Sequence, residues 1–114
     1  MSVRPTAALL LRLPEPGKVK TRLARSVGPE AATRIYAAMA RGLVERLRDG
    51  PWALAIHHTP STPEAAAELR GWLEAPHPDA SFRFHGQPEG DLGMRMEHAL
   101  AAGIAPGAPA AVLA

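Results

Sequence analysis

The 114-residue sequence contains no cysteine, and aromatic residues make up only 4% of it. The absence of cysteine excludes a disulfide framework, a cysteine-ligated zinc site and a thiol nucleophile. With so few aromatic rings, the core must be packed mainly from aliphatic side chains, within a hydrophobic content of 46%. This composition is typical of a globular protein and excludes a disordered or fibrous chain.

Long hydrophobic runs are also absent. A membrane span needs about 18 consecutive apolar residues, and Arg12 interrupts the apolar run that begins at Ala7. Arg12, Pro14 and Pro16 also stand where a secretory signal would place apolar and small residues. Together with the lack of cysteine, this pattern predicts a soluble cytoplasmic protein without a membrane span.

The formal net charge is only +2, although the isoelectric point is near 9.7. The chain has few groups that titrate between histidine and arginine, so a small positive excess persists to high pH. Six basic residues and one acidic residue precede residue 26, which gives a net charge of +5 there and −3 in the remainder. This asymmetry indicates a local anionic ligand rather than a nucleic-acid partner, since no aromatic stacking platform accompanies it.

Short apolar runs alternate with amphipathic segments along the chain. We predict strands at 6–13, 52–58, 81–85 and 110–113, and helices at 29–48, 62–73 and 91–103. Strands that alternate with helices are typical of an α/β protein with a mainly parallel sheet covered on both faces, a three-layer sandwich of the doubly wound kind.

Helical spacing predicts which side of each helix is buried. The expected buried positions are Ile35, Tyr36, Met39, Leu43 and Leu47 in the first helix, Ala66, Leu69, Trp72 and Leu73 in the second, and Leu92, Met96 and Leu100 in the third. Arg34, Arg41 and Arg48 are expected on a solvated face.

The segment 16–22 is a basic loop at the carboxyl end of the first strand, before residues 23–27 that favour a helical start. Ligands bind at this edge of open α/β sheets. Gly17 permits close approach of a ligand to the backbone, and Lys18, Lys20 and Arg22 supply the charges that phosphate requires. The glycine spacings of a P-loop and of a dinucleotide fingerprint are both absent. Charge and position alone also fit a solvated basic turn.

A second polar segment, 87–96, follows the third strand and is expected at the same sheet edge. Gly90 and Gly93 flank a helix start and permit approach of a base or ribose, while Gln87 and Asp91 offer hydrogen-bonding groups. The alternative interpretation makes Asp91 a helix cap and Gly93 a packing residue.

Histidines give little support for a metal site. His57 and His58 are adjacent on a strand and therefore point to opposite faces, so they do not readily share one ion. His77 and His98 are expected at the surface.

The two polar segments together resemble a known family. Residues 14–23 match Pro-x-Pro-Gly-x-x-Lys-Thr-Arg-Leu, and residues 87–96 match Gln-x-x-Gly-Asp-Leu-Gly-x-Arg-Met. At these positions the sequence resembles bacterial GT-A-like glycosyltransferases of the arsenosugar-biosynthesis and radical-SAM/selenodomain-associated types, in the nucleotide-diphospho-sugar transferase superfamily. This superfamily is related to nucleotidyltransferases such as the molybdenum cofactor and 2-phospho-lactate guanylyltransferases.

The resemblance implies a Rossmann-like, GT-A-like fold that binds a nucleotide-sugar or a nucleoside triphosphate. The implied nucleotide-binding residues are Gly17, Lys18, Lys20, Thr21, Arg22, Gln87, Gly90, Asp91, Gly93 and Arg95. Lys20 and Arg22 are the implied catalytic residues, because cations there stabilise charge on a departing diphosphate.

The resemblance also implies Mg²⁺ or Mn²⁺, held by an aspartate in a Gly-Ser-Asp-x-Pro-like stretch after the fourth strand. The sequence ends at Ala114, before such a stretch. We therefore expect residues 1–114 to be the N-terminal nucleotide-binding portion of a truncated transferase domain, without metal ligands of its own. Two alternatives remain open: transfer of a nucleotide to a phosphorylated substrate, and nucleotide or anion binding without catalysis. The oligomeric state is not fixed by the sequence.

Overall fold

A computed structural model describes residues 5–17, 19, 21–75, 82–104 and 110–113. In chain order the elements are β1 (Thr6–Arg12), α1 (Thr21–Val27), α2 (Pro29–Arg48), β2 (Ala53–Thr59), α3 (Pro63–Glu74), β3 (Arg83–Gly86), α4 (Leu92–Gly103) and β4 (Ala110–Leu113). The predicted order of strands and helices is confirmed. None of the helices in these residues combines the length and the apolar character needed to cross a bilayer, while a cytoplasmic location stays a prediction.

The four strands form one parallel sheet in the order β3-β2-β1-β4. The chain moves outward from β1 through β2 to β3, and then crosses to β4 on the other side of β1. In the register of the two central strands, Leu9 lies opposite Ile56 and Leu10 lies opposite His57. The predicted α/β architecture is therefore confirmed, and the reversal of strand order beside β1 marks the position where such sheets bind ligands.

One face of the sheet carries the apolar core. Side chains alternate between faces along a strand, and Leu9, Leu11 and Ile56 share this face. They form one buried cluster with Val44 of α2 and Leu69 of α3. Burial of these aliphatic side chains is the main stabilising contribution expected from the fold.

Helix α4 covers the opposite face, over β1 and β4. Ala8 and Ala99 are completely buried. A Cβ atom added at Gly103 would lie 3.1 Å from side-chain atoms of Thr6 and Ala110. Small residues on both elements therefore allow the helix backbone to approach the strands closely.

The predicted buried side of α2 is only partly correct. Ile35 and Met39 are 41% and 58% exposed, whereas Ala32, Ala40 and Val44 are the buried residues of this helix. The apolar residues of α2 cover a wider side of the helix than the strip that contacts the sheet. Ile35 and Met39 lie outside that strip.

The predicted buried sides of α3 and α4 also need correction. Ala65, Leu69 and Leu73 are the buried residues of α3, and the indole of Trp72 is partly exposed beneath the guanidinium of Arg41, 4.8 Å from the ring centroid. Arg41 therefore contacts α3 as well as solvent. In α4 the buried residue is Ala99. Leu92 is 57% exposed, because the first turn of α4 lies at the edge of the sheet.

Candidate functional site

A cleft of about 290 Å³ opens at the carboxyl end of β1. It lies between the strand ends, α2 and the first turn of α4. The residues that line it are Leu10, Leu11, Arg12, Tyr36, Thr59, Gln87, Leu92 and Arg95. This is the edge at which both polar sequence segments were predicted to meet, and the second segment reaches it.

Arg12 is the last residue of β1, and it lies opposite Thr59 in the register with β2. Its backbone N–H donates a hydrogen bond of 2.9 Å to the hydroxyl oxygen of Tyr36. The side-chain Nε is buried and has no hydrogen-bond partner among the described residues. A buried, unpaired donor on a charged group is unfavourable.

Arg95 enters the same cleft from the first turn of α4. The start of that helix is fixed by Asp91, whose Oδ1 accepts a 2.9 Å hydrogen bond from the N–H of Met94. The N–H of Arg95 donates to the Asp91 carbonyl at 3.1 Å. Its Nε, like that of Arg12, is buried without a partner in the described part of the chain. Two arginines thus line one cleft, and its described lining contains no carboxylate.

Tyr36 contributes a hydroxyl group to this cleft. Burial raises its pKa, and the hydrogen bond and positive charge of Arg12 only partly oppose that increase. The phenol is therefore protonated at neutral pH. Its oxygen accepts from Arg12, so the O–H proton points away from that contact and is suited to donate to a ligand oxygen.

Gln87 ties the loop after β3 to the end of β2. It is 8% exposed, its amide nitrogen donates to the His57 carbonyl at 2.7 Å, and its backbone N–H donates to the His58 carbonyl at 2.9 Å. The side chain that the sequence assigned to nucleotide recognition therefore positions the loop that leads to Asp91 and Arg95. Contact between Gln87 and a ligand stays a prediction.

Gly90 and Gly93 of the second segment differ in the space around their Cβ positions. Gly90 has φ +131°, and a Cβ atom there would lie 3.0 Å from the sulfur of Met94. Gly93 is exposed, and its Cβ position lies 3.4 Å from Asp91 Oδ1. Asp91 is thus a helix cap, as the alternative interpretation held, but Gly93 is not a packed residue.

Only part of the basic loop 16–22 lies within the described residues. Gly17 has φ +82° and open space around its Cβ position, which suits close approach to its backbone. Arg22 is exposed on α1 and does not line the cleft. Lys18 and Lys20 lie outside the described residues, and the side chain of Thr21 is also not described. Their predicted roles stay predictions.

Arg12, Tyr36 and Thr59 line the cleft but were not predicted as site residues. The position of Arg12 in the sequence indicates a site residue, because a charged residue that ends a buried strand lies at the ligand-binding edge of a parallel sheet. Tyr36 was assigned to the core by its helical spacing, and only the packing of α2 shows that its hydroxyl reaches Arg12.

A histidine cluster lies on the α4 face of the sheet. His57 is 2% exposed, its ring stacks on His85 with centroids 4.9 Å apart, and it contacts His98 edge-on at 6.4 Å. Burial, followed by the charges of His85, His98 and His58, lowers the pKa of His57 to about 4. His98 is exposed, as the sequence predicts, and its ring also contacts that of His57.

The histidine cluster does not form a metal centre. Within the residues that the structure describes, no group of three or more histidine, aspartate or glutamate side chains is arranged to hold a metal ion. His57 Nδ1 is buried without a hydrogen-bond partner in the same residues. His57, whose pKa is lowered to about 4, is therefore neutral at pH 7 where it stacks on His85.

Comparison with known proteins defines the fold class. No family model and no curated protein matches the sequence. Among solved structures, the chain is similar to a protein from Desulfovibrio desulfuricans G20 that is provisionally assigned as a nucleotide-diphospho-sugar transferase. The TM-score is 0.75 and the identity 30%, over 88% of this chain and 42% of that chain.

The chain thus has a Rossmann-like α/β fold, and the neighbour supports the nucleotide-diphospho-sugar transferase superfamily. It spans less than half the length of that neighbour. The narrower resemblance to the arsenosugar-biosynthesis and selenodomain-associated types stays a prediction.

Proposed function

We propose that this chain forms the nucleotide-binding portion of a transferase that uses a nucleotide-sugar donor. The observation that carries the proposal is the cleft at the carboxyl end of β1, lined by Gln87 and Arg95 of the second segment. The similarity to a structure provisionally assigned as a nucleotide-diphospho-sugar transferase supports the same ligand class.

The proposed binding mode places the nucleoside beside the loop 87–93 and the phosphates beside the basic loop. Gly17 leaves its backbone accessible, and Lys18, Lys20 and Arg22 concentrate positive charge in the chain segment after β1. Lys20 and Arg22 are proposed to stabilise the negative charge that develops on the diphosphate.

In the proposed reaction, the bond between the anomeric carbon and the diphosphate oxygen breaks. The nucleoside diphosphate leaves with the bonding electron pair, and an acceptor oxygen bonds to the anomeric carbon and releases its proton to the solvent. Cations near the diphosphate oxygens lower the barrier because they stabilise charge that is larger in the transition state than in the bound donor.

The Mg²⁺ or Mn²⁺ implied by the resemblance has no ligand set among the described residues, since no suitable cluster of side chains occurs there. We therefore assign no metal ligand to this chain.

Binding to the purified chain tests the proposal. Calorimetric titrations compare uridine, guanosine, adenosine, cytidine and thymidine diphosphates, their sugar derivatives and the matching nucleosides. We expect at least one nucleoside diphosphate and its sugar derivative to bind saturably and compete, and the nucleoside to bind far more weakly. Absence of binding by every diphosphate would contradict the proposal. In a full-length protein that carries this chain, unchanged donor affinity and turnover in K20A and R22A would exclude the roles given to Lys20 and Arg22.

The products formed by a protein that carries this chain separate the activities. Release of nucleoside diphosphate from a nucleotide-sugar supports glycosyl transfer. Release of pyrophosphate from a nucleoside triphosphate would instead establish nucleotidyl transfer, and nucleotide binding without either product would establish the non-catalytic alternative.

A further inference from the structure

The histidine cluster lies where three elements of the fold meet. His57 of β2 and His85 of β3 are opposite each other in the parallel register, and their ring centroids are 4.9 Å apart. His98 of α4 contacts the His57 ring edge-on, at a centroid distance of 6.4 Å. Because His57 is 2% exposed, the central ring of the cluster is enclosed by two further imidazole rings and the sheet.

The surroundings of His57 favour its neutral form. Its Nδ1 is buried and has no hydrogen-bond partner in the described part of the chain. A neutral imidazole has one nitrogen without a proton, whereas both nitrogens of the charged ring are donors. Protonation would therefore create a buried charge with an unpaired donor. In agreement with this geometry, burial and the charges of the neighbouring histidines lower the pKa of His57 to about 4.

The groups whose charges act on the two stacked rings are all positive when charged. They are His85 of β3, His98 of α4 and the adjacent His58 of β2 for the ring of His57. Burial and then the charge of Arg83 on β3 lower the pKa of His85. Protonation of one ring therefore makes protonation of the next less favourable while the cluster stays closed.

Other charged groups of the adjoining elements do not compensate this charge. On β1 the residue opposite His57 is Leu10, and Arg12 follows two positions later. On α4 the exposed Glu97 shares a surface hollow with Glu89 and the exposed His98. Neither carboxylate is among the groups whose charge acts on His57.

The elements that meet at the cluster differ in how firmly they are held. β2 pairs with β1 along all seven of its residues, whereas β3 is a four-residue strand at the edge of the sheet. The buried residue of α4 is Ala99. Separation of β3 and α4 from the sheet therefore exposes less apolar surface than separation of β1 from β2, and it is the local opening that we expect first.

We propose that the histidine cluster is a pH-sensitive switch: its protonation shifts the chain toward a locally open state in which the carboxyl end of β3, the loop 87–91 and α4 leave the sheet while the apolar core stays folded. The loop follows β3 directly, and Gln87 is held by the backbone carbonyls of His57 and His58. Displacement of the His57 ring therefore disturbs the residues that position the loop.

Amide hydrogen exchange in ¹⁵N-labelled chain tests the proposal. Protection factors, which correct for the intrinsic exchange rate at each pH, are measured at Gln87 and Ala99 from pH 7 to pH 5. With a pKa of about 4 in the closed state and 6.5 for an ordinary histidine, protection should fall about tenfold or more over this range. Low concentrations of urea should hardly change exchange at these amides but should accelerate it at Leu69, because only global unfolding exposes a large surface.

Three variants separate the switch from a general loss of stability. His57→Gln removes the central ring, so protection at Gln87 should change by no more than about threefold between pH 7 and pH 5. His98→Gln keeps the buried ring but removes a neighbouring charge, so the fall should be smaller than in the wild type. Leu69→Ala is the control, because it weakens the core and keeps the cluster, and its pH dependence at Gln87 should match that of the wild type. Circular dichroism establishes that each variant is folded, and His98→Gln decides the result if His57→Gln is not.

Three results would overturn the proposal: constant protection at Gln87 and Ala99 from pH 7 to pH 5, an unchanged pH dependence in His57→Gln, or the same urea dependence at Gln87 and Leu69. The last result would mean that acid unfolds the whole chain rather than one part of it. No nucleotide is present in these measurements, so failure of the proposed function would leave the switch unaffected.

Discussion

The two faces of the sheet use the same strands for different purposes. Leu9 and Ile56 point into the apolar core beneath α2 and α3. Their chain neighbours Leu10 and His57 lie opposite each other on the face that α4 approaches. Alternation along a strand thus separates the face that carries the main apolar core from the face that carries the histidine cluster.

The two faces differ in whether their buried polar atoms have hydrogen-bond partners. On the apolar face, Nδ1 of the buried His58 lies 2.8 Å from the Pro60 carbonyl oxygen, whereas His57 Nδ1 and the Nε atoms of Arg12 and Arg95 are buried without partners in the described residues. Departures from full hydrogen bonding are concentrated where proteins bind ligands. The comparison therefore assigns stability mainly to the apolar face, while the carboxyl edge of the sheet is where ligand recognition is proposed.

The largest expected effect on stability is a cavity in the apolar face. Leu69→Ala removes a completely buried side chain from the core cluster and should lower the free energy of unfolding by about 2–5 kcal/mol. Urea denaturation followed by circular dichroism measures this loss. Met39→Ala, at a position that is 58% exposed, is the control and should cost much less. Equal losses would contradict the distinction between the buried and exposed sides of these helices.

The second prediction concerns the polar face and pH. The pKa of His57 is about 4 in the folded chain against 6.5 for an ordinary histidine, so the unfolded chain binds this proton more readily. The corresponding stability is present above pH 6.5 and is lost as the pH falls toward about 4. Urea denaturation across this range should show that loss in the wild type.

Two variants sharpen this result. His57→Gln should reduce the acid-dependent loss of stability, because the buried titrating ring is gone. Leu69→Ala should keep the pH dependence of the wild type, since it removes no titrating group from the polar face. An identical pH dependence in His57→Gln and the wild type would contradict the role given to His57.

The smallest expected effect concerns the support of Arg95. Asp91→Ala removes the cap on α4 and should cost about 1 kcal/mol of unfolding free energy. It should also weaken nucleoside diphosphate binding, because the cap holds the first turn of α4 beside the loop 87–93, where the nucleoside is proposed to bind. Asp91→Ser, which restores a capping oxygen, should recover both properties. Recovery of stability without recovery of binding would show that Asp91 acts on the ligand and not through the helix.

The sequence predicts the order of elements well because local spacing determines it. The strand around Leu9, the helix start at Asp91 and the parallel sheet all follow from periodicity and chain order. Which side chains meet at the cleft depends on how α2 and α4 pack against the sheet. The sequence therefore places Arg95 at the correct edge, but it assigns Tyr36 to the core and gives no role to Arg12.

The buried sides of the helices show the same limit. Leu92 has the spacing of a core residue, but it lies in the first turn of α4 and lines the cleft. The edge contact between His98 and His57 likewise depends on the tertiary arrangement. Spacing predicts that a helix has an apolar side, and packing decides how much of that side is covered.

A titration with a nucleoside diphosphate, followed by amide chemical shifts in ¹⁵N-labelled chain, tests the central comparison most directly. We predict saturable shifts at Arg12, Gln87 and Arg95, with the Arg12 amide reporting on its hydrogen bond to Tyr36. The amide of Leu69, in the apolar core, should remain unchanged. Shifts confined to the exposed arginines of α2, or no saturation at the cleft, would contradict the assignment of ligand recognition to the carboxyl edge of β1.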